Sequence, residues 1–246
     1  MQENTYINFK KYKEDGHWFE VGRNKIFASI LDKLINGQNL NILDIGCGTG
    51  EMMEYFKKFG RVSGIEKHWP YAEICRKKGF EVKDISIEDM SLDGESFDIV
   101  SFFDVLEHIE GDVAALNRAY RLLNSGGLVV ISMPAFPVLW GPSDIIGQHK
   151  RRYRKKEVKR KLENAGFNII KLTYFNHFLF PLIFPFLLAK RILTFNNLIK
   201  TRSSHEYFNG ASFVSGLLKA VLFKEAEILK NHDFMFGLSL FAVGKK

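Results

Sequence analysis

A short apolar stretch followed by three closely spaced glycines constrains this chain more than any other feature of its sequence. Residues 40–45 read Leu-Asn-Ile-Leu-Asp-Ile, a run that is too brief for a helix and favours a buried strand. Gly46, Gly48 and Gly50 follow at two-residue spacing, and residues 51–59 then have helical character. Strand, glycine turn and helix in this order open a nucleotide-binding α/β unit, because the glycines permit a sharp turn and leave space for a ligand against the main chain.

Two further features narrow the choice of ligand. The glycine spacing differs from Gly-x-Gly-x-x-Gly and no Gly-Lys-Ser/Thr follows it, which excludes a P-loop. Asp44 lies in the strand just before the first glycine, where a carboxylate repels a pyrophosphate but suits a ligand that carries an ammonium and a sulfonium group. Glu66 follows a second short strand, residues 61–65, in the position from which a carboxylate accepts the two hydroxyls of a ribose.

Residues 43–50, Leu-Asp-Ile-Gly-Cys-Gly-Thr-Gly, resemble the first motif of class I S-adenosylmethionine-dependent methyltransferases. Residues 97–100, 104–109 and 121–127 resemble later blocks of the type 11 and ubiquinone-methylase-like branch. The flanks are similar to a poorly characterised bacterial subgroup that has an apolar C-terminal insertion. The resemblance spans nearly the whole chain. It implies S-adenosylmethionine as cofactor and S-adenosylhomocysteine as product, but it does not specify the methyl acceptor.

The resemblance also implies which residues contact the cofactor. In the family a helix before the first strand folds over the cofactor, so Arg23 is expected to pair with the cofactor's carboxylate; plain packing and surface roles are the alternatives for this helix. Asp84 matches the acid that meets the adenine amine, although Asp89 competes for that role. The expected cofactor residues are Arg23, Asp44, Gly46, Cys47, Gly48, Gly50, Glu66, Lys67, Asp84, Ile85 and Asp104.

Alternating strand and helix patterns predict an α/β fold, a Rossmann-like, mostly parallel sheet of seven strands with helices on both faces. In the family the last strand, here residues 236–243, is antiparallel and lies near the edge. We predict a single methyltransferase domain over residues 1–246. Its expected parts are an N-terminal helical lid (1–38), a Rossmann-like core (39–174 and 233–246) and a mainly helical, apolar and basic insertion (175–232).

Charge and cysteine content bear on partners and compartment. The net charge of +7 favours nucleic acid or an anionic membrane, and nine Lys or Arg lie between Lys150 and Lys161. That run is either a solvated helix face or a lipid contact. A nucleic-acid substrate is disfavoured because the Asn/Asp-Pro-Pro-Tyr/Phe motif is absent. Two cysteines form no disulfide framework and the first residues are polar, so we predict a cytoplasmic protein, with peripheral attachment to the inner membrane face as a further expectation.

Residues 178–189 are twelve consecutive non-polar positions, fewer than the roughly twenty that span a membrane. Pro181 and Pro185 are expected to break the helical bonding there. The segment needs a substrate pocket, a dimer contact or a membrane to bury its apolar face. We predict that it docks the protein on anionic lipid and admits a hydrophobic or lipid-linked acceptor, with a soluble lid or a dimer contact as the alternative. The oligomeric state stays open between monomer and homodimer.

The reaction predicted is methylation of a hydroxyl group, which needs alignment of the reactants and a base. His108 follows the fourth strand and His149 the fifth, so both are candidate catalytic bases; a structural role is the alternative for His108. Trp18, Arg152 and Tyr153 are the candidate acceptor contacts. Scattered His and Cys predict no metal site. The alternatives to an O-methyltransferase for lipid-like acceptors are a soluble small-metabolite methyltransferase and a cofactor-binding protein without turnover.

Overall fold

A computed structural model describes residues 17–90, 94, 96–195 and 212–246. Residues 1–16 of the predicted lid and 196–211 of the predicted insertion lie outside these described residues. The strands are β1 (Leu40–Ile45), β2 (Gly60–Ile65), β3 (Glu81–Lys83), β4 (Phe97–Phe103), β5 (Leu123–Pro134), β6 (Asn168–Phe175) and β7 (Ser239–Lys245). The helices are α1 (Trp18–Leu34), α2 (Glu51–Phe56), α3 (Trp69–Lys77), α4 (Asp112–Leu122), α5 (Pro142–Ile146), α6 (Lys155–Asn164), α7 (Phe180–Phe195) and α8 (Ser212–Leu229).

The seven strands form one sheet in the order β3-β2-β1-β4-β5-β7-β6. β1 pairs in parallel with both β2 and β4, whereas β7 is antiparallel to β5 and β6. The predicted sheet, mostly parallel with an antiparallel last strand near the edge, is therefore confirmed. The strand order reverses between β1 and β4, and ligands of open α/β sheets bind at the carboxyl ends of the strands beside such a reversal.

The central strands are buried on both faces, which explains their continuous apolar runs. In β4 the side chains of Ile99, Val100 and Phe102 are buried, and in β7 the run from Leu240 to Val243 is buried as well. A parallel sheet that is covered on both faces needs such sequences because each strand contributes to two apolar layers.

The chain groups into two compact units, and the division into a lid, a core and an insertion within one domain stays a prediction. Among the described residues, one unit comprises 17–36 and 212–232, and the other comprises 37–90, 94, 96–195 and 233–246, which include the whole sheet. In the smaller unit Gly22 of α1 approaches Leu222 of α8 so closely that a Cβ on Gly22 would lie 2.4 Å from Leu222 Cδ1. Lys33 donates a 2.8 Å hydrogen bond to Asn231 Oδ1. The two helices that define this unit are far apart in sequence. No linker-like stretch of sequence therefore marks its boundary.

The apolar segment forms the helix α7, and here the expectation of a break at the prolines is wrong. The helix continues from Phe180 to Phe195 with Pro185 in its interior. Pro181 lies in the first turn, where the missing N–H has no helical partner to lose, so this position tolerates proline. None of the helices in the described part of the chain combines the length and apolar character needed to cross a membrane.

Candidate active site

The glycine loop that follows β1 adopts a backbone that favours glycine at each of its three positions. The φ angles of Gly46, Gly48 and Gly50 are +66°, +57° and +84°. A Cβ on Gly46 would lie 2.6 Å from a methyl group of Val105, so the loop packs tightly against the residues after β4. A Cβ on Gly48 would meet no described atom within 4 Å, so the other side of the loop offers space for a ligand.

Glu66, at the carboxyl end of β2, is held directly against this loop. Its Oε2 accepts a 2.9 Å hydrogen bond from the Gly48 N–H, and its Oε1 accepts a 2.7 Å bond from the N–H of His68. The sheet therefore brings the predicted ribose-binding carboxylate and the glycine loop together. Lys67, the next residue, is exposed.

Asp44 is the second carboxylate beside the loop, and it is buried. Its Oδ1 accepts a 2.6 Å hydrogen bond from the Ser101 hydroxyl on β4. Burial raises the pKa of Asp44 from 3.8 to about 7, partly offset by the Ser101 bond. A cation beside this carboxylate would favour its ionised form. The two carboxylates of Asp44 and Glu66, which accept hydrogen bonds, and the open backbone of the loop together fit a cationic nucleoside.

Two cysteine thiols lie beneath the loop. Cys75 of α3 contacts Cys47 and donates to the Gly48 carbonyl oxygen at 3.3 Å. The hydrogen bond between the thiols, with burial, raises the pKa of Cys47, and the same bond lowers that of Cys75. Lys78 Nζ donates to the Thr49 carbonyl at 2.7 Å. These contacts anchor the loop to α3, so the Cys47 side chain supports the loop from below.

The remaining predicted cofactor residues fall into two groups. Asp84, after β3, pairs with Arg76 at 2.5 Å, and its neighbour Ile85 is half-buried. The competing Asp89 accepts a 2.7 Å bond from Ser86 within its own turn. Trp18 and Arg23 belong to the smaller unit, where the Arg23 guanidinium lies 5.8 Å from the centre of the Phe27 ring. The cofactor and acceptor contacts expected of Trp18 and Arg23 stay predictions.

Backbone strain concentrates at the carboxyl edge of the sheet. Four of the five described non-glycine residues with positive φ follow β4, β5 or β6: Asp104, Phe136, Gln148 and Asn176. Asp104 is tied to β5, because its N–H and Oδ1 both contact the Ser132 hydroxyl at 3.1 and 2.9 Å. Unfavourable backbone conformations persist where the surrounding structure imposes them, and they cluster at functional sites.

The two candidate bases meet at this edge. The His108 and His149 rings contact edge to face with 4.8 Å between their centres. Partial burial and the nearby His149 lower the pKa of His108, against an opposing effect of Asp104. Asp144 was not among the predicted site residues: it is a fully buried carboxylate whose Oδ1 lies 2.9 Å from His149 Nδ1. Only its five-residue spacing from His149 could have suggested the contact.

Arg152 and Tyr153, two predicted acceptor contacts, have hydrogen-bond partners within the fold, and their contact with an acceptor stays a prediction. Arg152 donates through Nε to Asp144 at 2.7 Å. Tyr153 is buried, and its hydroxyl lies 2.9 Å from Asp112 Oδ2 and 3.0 Å from the Leu106 carbonyl. Burial raises the pKa of Tyr153. These contacts tie the segment after α5 to the core, and they do not favour direct contact of Tyr153 with an acceptor.

The fold also assembles a donor set that the scattered histidines of the sequence do not suggest. Glu107, His108 and His149 each offer one ligand atom, and these atoms lie within 4.8 Å of one another. Carboxylate and imidazole together are ligand types that divalent metals accept. The scattered positions of the histidines and cysteines in the sequence are therefore no argument against a metal site.

Sheet order, glycine loop and paired carboxylates together define a class I S-adenosylmethionine-dependent methyltransferase. The chain belongs to the methyltransferase-domain family, whose model matches residues 19–172. This confirms the family and cofactor that the motif after β1 predicts.

Curated relatives share parts of the chain. It is 33% identical over 102 residues to the ubiquinone biosynthesis O-methyltransferase of Cereibacter sphaeroides, covering 39% of this chain and 41% of the relative. The mitochondrial ubiquinone biosynthesis O-methyltransferase of Candida albicans is 30% identical over 134 residues, which are 49% of this chain and 41% of that protein. The chain thus spans about two fifths of the length of these relatives. An uncharacterised Methanocaldococcus jannaschii protein is 29% identical over 177 residues, which cover 67% of this chain and 83% of that one.

Solved structures share the fold at low sequence identity. An S-adenosylmethionine-dependent methyltransferase from Mesorhizobium loti superposes with a TM-score of 0.60 at 15% identity, covering 90% of this chain and 98% of that one. Phosphoethanolamine N-methyltransferase 2 of Haemonchus contortus, in complex with S-adenosylmethionine, gives a TM-score of 0.58 at 17% identity over 91% of this chain and 52% of its own. These similarities establish the fold.

Proposed function

We propose that the protein transfers a methyl group to a hydroxyl of a hydrophobic acceptor, lipid-linked or of glycolipid type, at the inner surface of a membrane. The observation that carries this proposal is that a histidine pair and an exposed apolar surface occupy the same edge of the sheet. S-adenosylmethionine, when bound, supplies an electrophilic methyl group on a cationic sulfur. The protein's part is to align the acceptor, exclude water and accept a proton.

The apolar surface follows from the topology. β6 runs parallel to β5, and β7 is antiparallel to both, so the end of β6 and the start of β7 lie at the edge where β4 and β5 also end. The segments attached there expose large apolar side chains, which we call the apolar rim: Phe178, Leu182, Phe186, Met235 and Phe236. Met235 is 87% exposed and Leu182 is 74% exposed. Large apolar side chains that are exposed together mark an interaction surface.

An aromatic cluster connects this rim to the end of β5. The Phe136 ring stacks on Tyr174 with centres 5.4 Å apart, and it also contacts Phe180 of α7 at 5.5 Å. His177 stacks on Phe234 at 4.0 Å. A hydrophobic acceptor that approaches over the rim would therefore meet apolar side chains up to the strand ends, where the histidines lie.

The basic run of the sequence contributes less to the outer surface than its composition suggests. Arg151 and Lys161 pair with the buried Asp112, and Arg152 pairs with Asp144. Arg154, Lys156, Lys159 and Arg160 are exposed, and so is Arg191 of α7. Exposed cations and an exposed apolar surface together support attachment to anionic lipid, because the two contributions add.

The relatives named for ubiquinone biosynthesis and O-methylation also support a hydroxyl acceptor. Incubation with S-[methyl-³H]adenosylmethionine and, in parallel, a total lipid extract, a polar metabolite extract and RNA tests the proposal. Label in the lipid fraction supports it. Label in the polar fraction would instead indicate a soluble small-metabolite enzyme, and label in RNA contradicts the proposal. Heat of binding with S-adenosylhomocysteine but no label anywhere would indicate a binding protein without turnover.

Membrane attachment is tested separately by flotation with phosphatidylglycerol vesicles. The variant Leu182→Glu/Met235→Glu places charge on the apolar rim, and Ile170→Glu, at an exposed apolar position earlier in β6, is the matched control. We expect the rim variant to lose most of its bound fraction and the control to keep it. Equal flotation of all three proteins would remove the membrane from the proposal.

A further inference from the structure

Both carboxylate oxygens of Asp144, in α5, face hydrogen-bond donors. It is fully buried, and its Oδ2 accepts a 2.8 Å hydrogen bond from the Gly141 N–H. Its Oδ1 faces His149 Nδ1 at 2.9 Å and Arg152 Nε at 2.7 Å. The backbone adds a further link, because the His149 N–H donates to the Asp144 carbonyl oxygen at 2.9 Å. His149 is thus attached to Asp144 through both its ring and its main chain.

These contacts determine which ring nitrogen of His149 carries the proton. Burial alone would raise the pKa of Asp144, but the bonds from His149, Arg152 and Gly141 outweigh burial and hold that pKa below its usual range. An ionised carboxylate can only accept hydrogen bonds. Nδ1 of His149 must therefore be the donor, which leaves Nε2 of the neutral ring as a proton acceptor.

The neighbouring His108 has the opposite environment. Partial burial and the adjacent imidazole both disfavour its charged form, and its ring contacts the backbone of Gln148. With the ring centres 4.8 Å apart, the two histidines do not both carry charge readily. Asp144 Oδ1 lies 2.9 Å from Nδ1 of His149, so this carboxylate acts on His149 directly.

We propose that Asp144 is the positioning residue that holds His149 as the proton acceptor for the methyl acceptor's hydroxyl, an inference that rests on the proposed function. His149 Nε2 takes the hydroxyl proton while the acceptor oxygen forms its bond to the methyl carbon. The bonding pair of the carbon–sulfur bond goes to sulfur, so the sulfonium becomes a neutral thioether. Asp144 stays ionised throughout and stabilises the imidazolium that forms.

The tautomer is measured without any acceptor. In protein labelled with [¹⁵N]histidine, long-range ¹H–¹⁵N spectra at pH 8.5 report the protonation of each ring nitrogen, and the His149→Gln variant assigns the His149 signals. We expect wild-type His149 to have a protonated Nδ1 and an unprotonated Nε2. A protonated Nε2 overturns the proposal. This arm needs no Asp144 variant, so a folding defect of Asp144→Asn cannot weaken it.

Whether Asp144 acts through His149 is measured by methylation kinetics, with 4-nonylcatechol as the hydroxyl-bearing probe. We expect Asp144→Asn to lower kcat about 100-fold or more while the KM for the cofactor changes less than about twofold. In the His149→Gln background the same change should have almost no further effect, because Asp144 acts through His149. Asp112→Asn, which removes another buried and ion-paired carboxylate, is the matched control and should keep kcat.

Two results of the kinetic arm would overturn the proposal. The first is an equal loss of kcat from Asp144→Asn in both backgrounds. The second is a kcat that disappears with a chelator and returns with a divalent metal, because His149 Nε2 would then bind the metal together with Glu107 and His108. If no probe or extract gains label while the expected tautomer is observed, the proposed function fails and the positioning of His149 by Asp144 stands.

Discussion

The backbone N–H of Gly48 donates a 2.9 Å hydrogen bond to Oε2 of Glu66, and this bond joins the glycine loop after β1 to the end of β2. The carboxylate expected to bind a ribose is therefore also a support of the loop. Its second oxygen is held by the N–H of His68 at 2.7 Å, which fixes the plane of the carboxylate. One side chain thus sets both the shape of the glycine loop and the charge beside it.

Glu66→Gln tests this double role. An amide keeps one acceptor oxygen, but it places an NH₂ group against one of the two backbone donors and removes the charge. We expect the affinity for S-adenosylhomocysteine to fall about 10- to 100-fold by isothermal titration calorimetry, since hydrogen bonds to charged groups contribute roughly 1.5–3 kcal/mol. Glu81→Gln, at an exposed ion pair with Arg61, is the control and should bind normally. Unchanged binding by both variants would remove Glu66 from the cofactor site.

Asp44→Asn should stabilise the protein without ligand while weakening cofactor binding. Below pH 3.8 Asp44 is protonated in both folded and unfolded chains, so it has no effect on stability there. As the pH rises toward 7, Asp44 ionises in the unfolded chain first, and the free energy of unfolding falls. The loss reaches on the order of 4 kcal/mol above pH 7. The gain in Tm from Asp44→Asn should therefore be larger at pH 8 than at pH 5. An equal gain at both values would contradict the raised pKa.

Gly46→Ala and Gly48→Ala should separate folding from binding. Both positions have positive φ, which costs an alanine roughly 1–2 kcal/mol. At Gly46 the new methyl group would also lie 2.6 Å from Val105, so we expect the larger loss of stability in urea there. At Gly48 it meets no described atom, so the smaller loss should accompany a clear loss of cofactor affinity. Normal affinity of a folded Gly48→Ala protein would place the ligand elsewhere.

Tyr153→Phe distinguishes a structural role from contact with the acceptor. Removal of the hydroxyl takes one hydrogen-bond partner from Asp112 and one from the Leu106 carbonyl. Lys161 still pairs with Asp112. We expect the free energy of unfolding to fall by about 1–3 kcal/mol in urea denaturation. The KM for 4-nonylcatechol should stay within about twofold of wild type. A raised KM with unchanged stability would restore Tyr153 as an acceptor contact.

Local sequence predicts the sheet and the glycine loop well, because both are encoded by contiguous patterns. The apolar run of β1, the glycines after it and the acid after β2 are each readable within a few residues. Only the resemblance, however, indicated that the last strand would be antiparallel. Its sequence periodicity is the same in either direction, since β7 is buried on both faces.

Contacts between distant segments were harder to predict. Asp144 lies in a short helix with no motif, and its importance emerges only when the segment after β5 returns it to His149 and Arg152. The basic residues from Arg151 to Lys161 suggested a surface, yet three of them face buried carboxylates. Composition records how many charges a segment has, and it carries no information on which of them the fold turns inward.

The smaller unit has a consequence for biosynthesis. Because α1 packs on α8, with Lys33 bonded to Asn231 across 198 positions of the chain, α1 meets its partner only after six of the seven strands of the sheet have been translated. Until then α1, whose Ile26, Phe27 and Ile30 side chains are buried in the folded protein, lacks its packing partner α8. Contacts of such long separation form slowly, so a nascent chain that stalls before α8 would present these side chains to chaperones.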